Sequence, residues 1–148
     1  MMKKYAVLPI LLLVILVFSA CSGKPSTPTN DEIIFKTEKT EYLQNTEKIN
    51  LILENNTSKS IEYGYHIWLE KKDENGDWKY IEYKEGFGFV HSFLLILESG
   101  KSDSFEVTLS EFDTDMEKGT YRIGKNIDKV ISETEKDENA YYAEFVIT

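Results

Sequence analysis

The sequence predicts an all-β fold, an antiparallel sandwich of about seven to eight short strands behind a processed leader. Three observations predict it. After residue 31, apolar side chains recur at every second position in one segment after another, the period of a half-buried strand. Gly, Asn, Asp and Ser separate these segments at intervals of roughly 8 to 15 residues, the spacing of a sandwich. No segment keeps a convincing helical period, although Glu111 to Glu117 has room for one turn.

The chain opens with a secretory layout. Lys3 and Lys4 precede an apolar run from Ala6 to Phe18, and the small residues Ser19 and Ala20 stand before Cys21. That run is short for a spanning helix, which needs about 20 apolar residues, and Pro9 interrupts it. Phe18-Ser19-Ala20-Cys21 resembles the lipobox of bacterial lipoproteins, with Phe18 where Leu is usual. The resemblance implies cleavage before Cys21 and a diacylglycerol on its thiol. Two acyl chains suffice for stable anchoring where one is marginal. An uncleaved anchor with a stray cysteine is the alternative. Cys21 is the only cysteine, so no intrachain disulfide can form. Residues 1–20 are thus expected to be the signal peptide and 21–30 the lipidated cysteine with its linker. Residues 22–30, SGKPSTPTN, carry no bulky apolar side chain and suit a solvated tether of roughly 25 to 30 Å. Residues 31–148 suit one domain.

The strands follow in order. Residues 32–36 open the domain. In TEKINLILEN, Ile49, Leu51 and Leu53 share one face, and Asn55-Asn56 ends the strand with turn chemistry. SIEYGYHIWLE is the longest clean alternation, with Ile61, Tyr63, Tyr65, Ile67 and Leu69 on one face and His66 and Trp68 on the other. Asn75-Gly76 predicts a type I′ hairpin turn returning through Trp78 to Tyr83. A further strand lies within Phe87 to Leu97. Phe105, Val107 and Leu109 form the next face, Tyr121 and Ile123 follow Gly119, and Tyr141, Ala143, Phe145 and Ile147 close the chain.

The words LENNTSKSIEYGYHIWLEK, ENGDWKYI, LESGKSDSFEVTL, EKGTYRIGK and YYAEFVI resemble the bacterial immunoglobulin-like domain of surface lipoproteins, chiefly from Gram-positive bacteria. Gly119-Thr120-Tyr121-Arg122-Ile123 is the most specific of them. The resemblance covers nearly all of residues 33–147 and implies an immunoglobulin-like sandwich with no catalytic residues to carry over.

Composition and motifs narrow the function classes. The chain has 17 basic and 26 acidic residues, a net charge of −9, and losing Lys3 and Lys4 with the leader deepens it by two. That balance argues against nucleic acid as a partner, favours solubility and leaves membrane attachment to the lipid. No G-x-S-x-G occurs, and neither His66 nor His91 belongs to a metal-spaced pattern. Asp73, Asn75 and Asp77, and again Asp113, Asp115 and Glu117, alternate oxygen ligands, but the first series has Trp78 and Lys84 where a calcium loop needs Gly and Glu. No enzyme, metal or cofactor is therefore expected.

Phe87 to Leu97 is apolar on both faces around Phe93 and Leu95, as in a covered strand or one that meets a partner. Trp68 and Trp78 read as a cross-strand pair or as a ligand platform. Phe93, Leu95, Trp68 and Trp78 are the candidate contacts for a protein or cell-envelope ligand. The expected role is a non-catalytic binding module, lipid-anchored at the extracytoplasmic face of the cell membrane. The alternative is an inhibitor or regulator of an extracytoplasmic enzyme such as a protease. The acidic stretch Ser132 to Asn139 reads as an exposed, flexible connection, which argues mildly against an inhibitory loop.

Overall fold

The computed structural model describes residues 32–88, 93–130 and 136–148, which fold into a two-sheet β-sandwich. The segments expected to be a signal peptide and a linker, together with Cys21 and His91, lie outside the described residues. The strands are β1 (Ile33–Thr37), β2 (Glu41–Tyr42), β3 (Lys48–Asn55), β4 (Ile61–Tyr63), β5 (Trp68–Lys72), β6 (Trp78–Ile81), β7 (Leu95–Leu97), β8 (Ser102–Thr108), β9 (Gly119–Val130) and β10 (Lys136–Ile147). β1, β3 and β8 form the smaller sheet. In the larger, β10 pairs with β9 along its whole length and takes β2 in parallel on its far edge. The other edge of β9 is shared by β4 and β5, which in turn carry β7 and β6.

Period-two alternation explains the core. Ile49, Leu51 and Leu53 of β3 are fully buried against Ile61, Leu69, Tyr121, Ile123, Ile127 and Phe145 of the other sheet. Each such side chain contributes about 1.5 to 3 kcal/mol through burial. Asn55 is buried with them and closes one end of the sandwich. Its Nδ2 donates to the carbonyls of Lys59 and Leu97, at 2.8 and 2.9 Å, while its Oδ1 accepts from Thr57. The residue that ends β3 therefore also ties β3 to the start of β4 and the end of β7.

Tyr121 fixes the start of β9. It is fully buried, stacks on Phe145 at 5.7 Å between centroids, and donates its hydroxyl hydrogen to the Glu117 carbonyl at 2.8 Å. A tyrosine bonded back to the chain a few residues upstream is the corner found in immunoglobulin-type sandwiches.

Several expectations need correction. The long alternation from Ser60 to Glu70 is two strands. The chain takes five steps from Tyr63 to Trp68 while β9 takes three from Ile127 to Gly124, so two residues bulge out. Tyr65 falls in the bulge and is 54% exposed, although Ile67 returns to the core. Lys125, opposite the break, is buried and donates through Nζ to the Gly64 carbonyl, with the rings of Phe105 and Tyr63 at 4.8 and 5.3 Å. The hairpin turn is also of another kind. The Asp73 carbonyl accepts from Gly76 N–H, Asn75 keeps a negative φ, and only Gly76 is left-handed, at φ 89°. This is a three-residue loop with a glycine bulge rather than type I′. Asp73 Oδ1 selects it by accepting the N–H groups of Asn75 and Asp77, each at 2.9 Å.

Three further elements differ. The only helical turn among the described residues is a 3-10 turn at Leu109–Glu111, ahead of the expected place. Lys136 to Asn139 belong to β10, paired with Ile127 to Val130, so that part of the expected flexible connection is strand. β2 was not expected, since two residues show no periodicity.

Burial pushes the Lys125 ammonium down to about 8, against a partial opposing effect of Asp103. Between pH 8 and 10.5 the unfolded chain therefore carries a proton that the folded chain has released, and stability rises with pH. Tyr63 acts oppositely above pH 10, because burial and its bond to Asp103 hold its phenol protonated in the fold. From pH 7 to 9.5 the Lys125 contribution should add about 2 kcal/mol. Urea unfolding at both pH values should show this gain, and Lys125→Met should abolish it; an equal gain in the variant would refute the assignment. Tyr121→Phe should cost about 1 to 2 kcal/mol in the same assay, by orphaning the Glu117 carbonyl. A loss below about 0.3 kcal/mol would mean that the corner bond adds nothing.

Candidate functional site

The outer face of the seven-stranded sheet gathers aromatic side chains that strand parity forces away from the core. Since Tyr121, Ile123, Ala143 and Phe145 are buried, Arg122, Gly124, Tyr142 and Glu144 must point outward. Register aligns them in rows. One runs from Tyr80 through Glu70 and Arg122 to Glu144, and the next from Trp68 over Gly124 to Tyr142.

Arg122 joins the rows. Its guanidinium lies 3.8 Å from the Tyr142 ring centroid and 4.2 Å from that of Trp78, and its Nε donates to the Glu70 carboxylate. A guanidinium held between two rings and a carboxylate gains cation–π attraction of about 0.5 to 2 kcal/mol per ring. The two ionic groups are largely covered, with side chains 18% and 16% exposed.

Gly124 makes room for Trp68. A Cβ on Gly124 would sit 2.1 Å from the indole, so the ring lies over the backbone of β9. Tyr142 meets it edge-on at 5.9 Å, and the His66 ring lies tilted against it at 6.3 Å. Tyr80 is 53% and Tyr142 39% exposed, so this face offers aromatic surface to a ligand.

Of the predicted contacts, Trp68 and Trp78 both belong to this face. They are not a cross-strand pair, however. Trp78 stands opposite Lys72 and Trp68 opposite Gly124, and Arg122 with Tyr142 bridges between them. Phe93 is exposed at 67%, beside β7. Leu95 faces the core instead, because it pairs with buried Tyr63, and Ile96 takes the outward position at 66% exposure. Sequence reading missed Arg122, Tyr142 and Tyr80. The available signal was parity: in Tyr121-Arg122 and Tyr141-Tyr142, one inward residue commits its neighbour to the outer face.

The oxygen-rich series serve other ends. Asp73 is held below the usual carboxyl range, first by the Asp77 N–H and also by Asn75 and Lys79. Glu117 pairs with Lys71 at 2.8 Å. Among the described residues no group of three His, Cys, Asp or Glu side chains is placed to hold a metal ion.

Gly124→Ala should displace the Trp68 ring and break its contact with Tyr142. Tryptophan emission should shift to the red and stability fall by about 1 to 3 kcal/mol. Unchanged emission would mean that the ring does not rest on Gly124.

No curated protein matches the chain. It is similar at low identity to several solved structures, two of which illustrate the likeness. One is the crystal structure of the periplasmic chaperone SfaE, 11% identical with a TM-score of 0.41, covering 79% of this chain and 57% of that one. The chain thus spans little more than half the length of that protein. The other is the ASH/PapD-like domain of human CEP192 (PapD-like domain 7), 14% identical with a TM-score of 0.34, covering 100% of this chain and 96% of that domain. A family model described as the bacterial Ig-like domain matches residues 29–146, and the chain belongs to that family.

Proposed function

We propose that this protein is an extracytoplasmic lipoprotein whose Ig-like domain is a non-catalytic binding module, using the outer face of the seven-stranded sheet. The observation that carries the binding role is the aromatic surface organised around Arg122. A face built only for solubility would have polar residues at Trp68, Trp78, Tyr80 and Tyr142. Here they are aromatic, and the Arg122–Glu70 pair fixes two of them in place, so binding need not order them. Tyr, Trp and Arg are also the residue types that dominate binding hot spots. The anchor rests on the leader and Cys21, and the linker gives the domain reach above the bilayer. No observation favours the inhibitor reading over this one.

Two experiments test the two halves. Cells fed labelled palmitate should label the native chain in the membrane fraction, and Cys21→Ser should release an unlabelled protein or leave an unprocessed precursor. Label persisting in that variant would exclude Cys21 as the lipidation site. For the binding role, a photo-crosslinking side chain is placed at Tyr80 or, as a control, at Ile52 on the opposite sheet. Adducts in intact cells should form from Tyr80 and not from Ile52; their absence, or equal yields, would argue against the face.

A further inference from the structure

Beside the bulge, on the inner side of β9 and apart from the aromatic face, lies a cavity of about 40 Å³. β7 and β8, each an edge strand of its own sheet, both contribute to its walls. Tyr63, Tyr65, Leu95 and Phe105 give those walls apolar surface, and the exposed Tyr65 stands at the mouth. Two charged groups enter it, one from each sheet: Lys125 from β9 and Asp103 from β8.

Both groups have bonding capacity left. The Lys125 ammonium is a donor with three N–H groups, and the Gly64 carbonyl takes one of them. Asp103 accepts the Tyr63 hydroxyl at 2.5 Å through one oxygen and the Ser104 N–H at 2.8 Å through the other. A carboxylate offers about four acceptor positions, so each oxygen keeps one. Asp103 favours the charged form of Lys125 without forming an ion pair with it. A group that completes both must accept from the ammonium and donate to the carboxylate, and a hydroxyl does so with a single oxygen. An incoming anion would satisfy Lys125 but meet Asp103 as a like charge, and an incoming cation would do the reverse.

We propose that this cavity binds one neutral hydroxyl group, which accepts a hydrogen bond from Lys125 and donates one to Asp103. Such a group needs only about 10 to 15 Å³ and two or more polar partners, and the site supplies both. Water is one source of the hydroxyl. The other is the end of a larger ligand entering past Tyr65. Either one bridges β9 to β8 and so joins the two sheets beside the bulge.

The test uses the full-length protein in neutral detergent, isotope-labelled at its leucine methyls, and follows Leu95 by nuclear magnetic resonance. Magnetisation transfer from a long-lived water to the Leu95 methyls is expected, and it identifies water as the source. Titration with methanol distinguishes the second source: a saturable Leu95 shift with loss of the water transfer shows that an alcohol takes the same position. Lys125→Met should reduce either signal about tenfold or more, because a hydrogen bond to a charged group is lost. Asp103→Leu, half-buried on an edge strand, should do the same and serves where Lys125→Met does not fold. Signals unchanged in a folded variant would overturn the proposal, as would native protein showing neither water transfer nor a methanol shift. Acetate displacing the water more strongly than methanol would make this an anion site and overturn it too.

Discussion

Strand β9 has to satisfy hydrogen-bonding partners on both edges at once, and most of the domain follows from how it does so. One edge is taken by β10 over twelve residues of β9. The other must serve β4 and β5, which bring five steps of chain to three steps of β9. The surplus leaves as the Gly64–Ile67 bulge, and its cost is a backbone carbonyl turned away from the sheet. Lys125 meets that carbonyl from inside the core, where a lysine is otherwise unfavourable. A single buried cation thereby reconciles the two registers.

The same strand sorts the chemistry of the molecule by parity. Its inward residues Tyr121, Ile123, Lys125 and Ile127 build the core, and its outward residues Arg122 and Gly124 lay out the candidate site. Core and surface are consequently coupled. The Tyr121 hydroxyl sets where β9 begins, which sets where Arg122 emerges between Trp78 and Tyr142. Gly124 supplies the gap that lets an indole lie on the sheet. Side chains held in this way have little conformational freedom left to lose.

Much of the fold was legible in the sequence. The alternation of Ile49, Leu51 and Leu53, of Tyr121 and Ile123, and of Ala143, Phe145 and Ile147 identified strands and their inward faces correctly. These are local signals, because successive side chains of any strand point to opposite sides. Parity failed where a long-range partner interrupts the strand, as at Tyr65, and where both faces are apolar, as at Leu95. It also could not tell that Lys136 to Asn139, acidic and polar, would extend β10, since pairing with β9 decides that.

What the sequence by itself determined was the class of the domain and the residues of its core. Each of these rests on neighbours in the chain. Only the tertiary structure decided that Trp68 and Trp78 meet through Arg122 and Tyr142 rather than directly, and that Lys125 spans the break between β4 and β5. Those arrangements depend on cross-strand register between segments dozens of residues apart, and register is set by the sum of pairings over the whole sheet rather than by any one stretch.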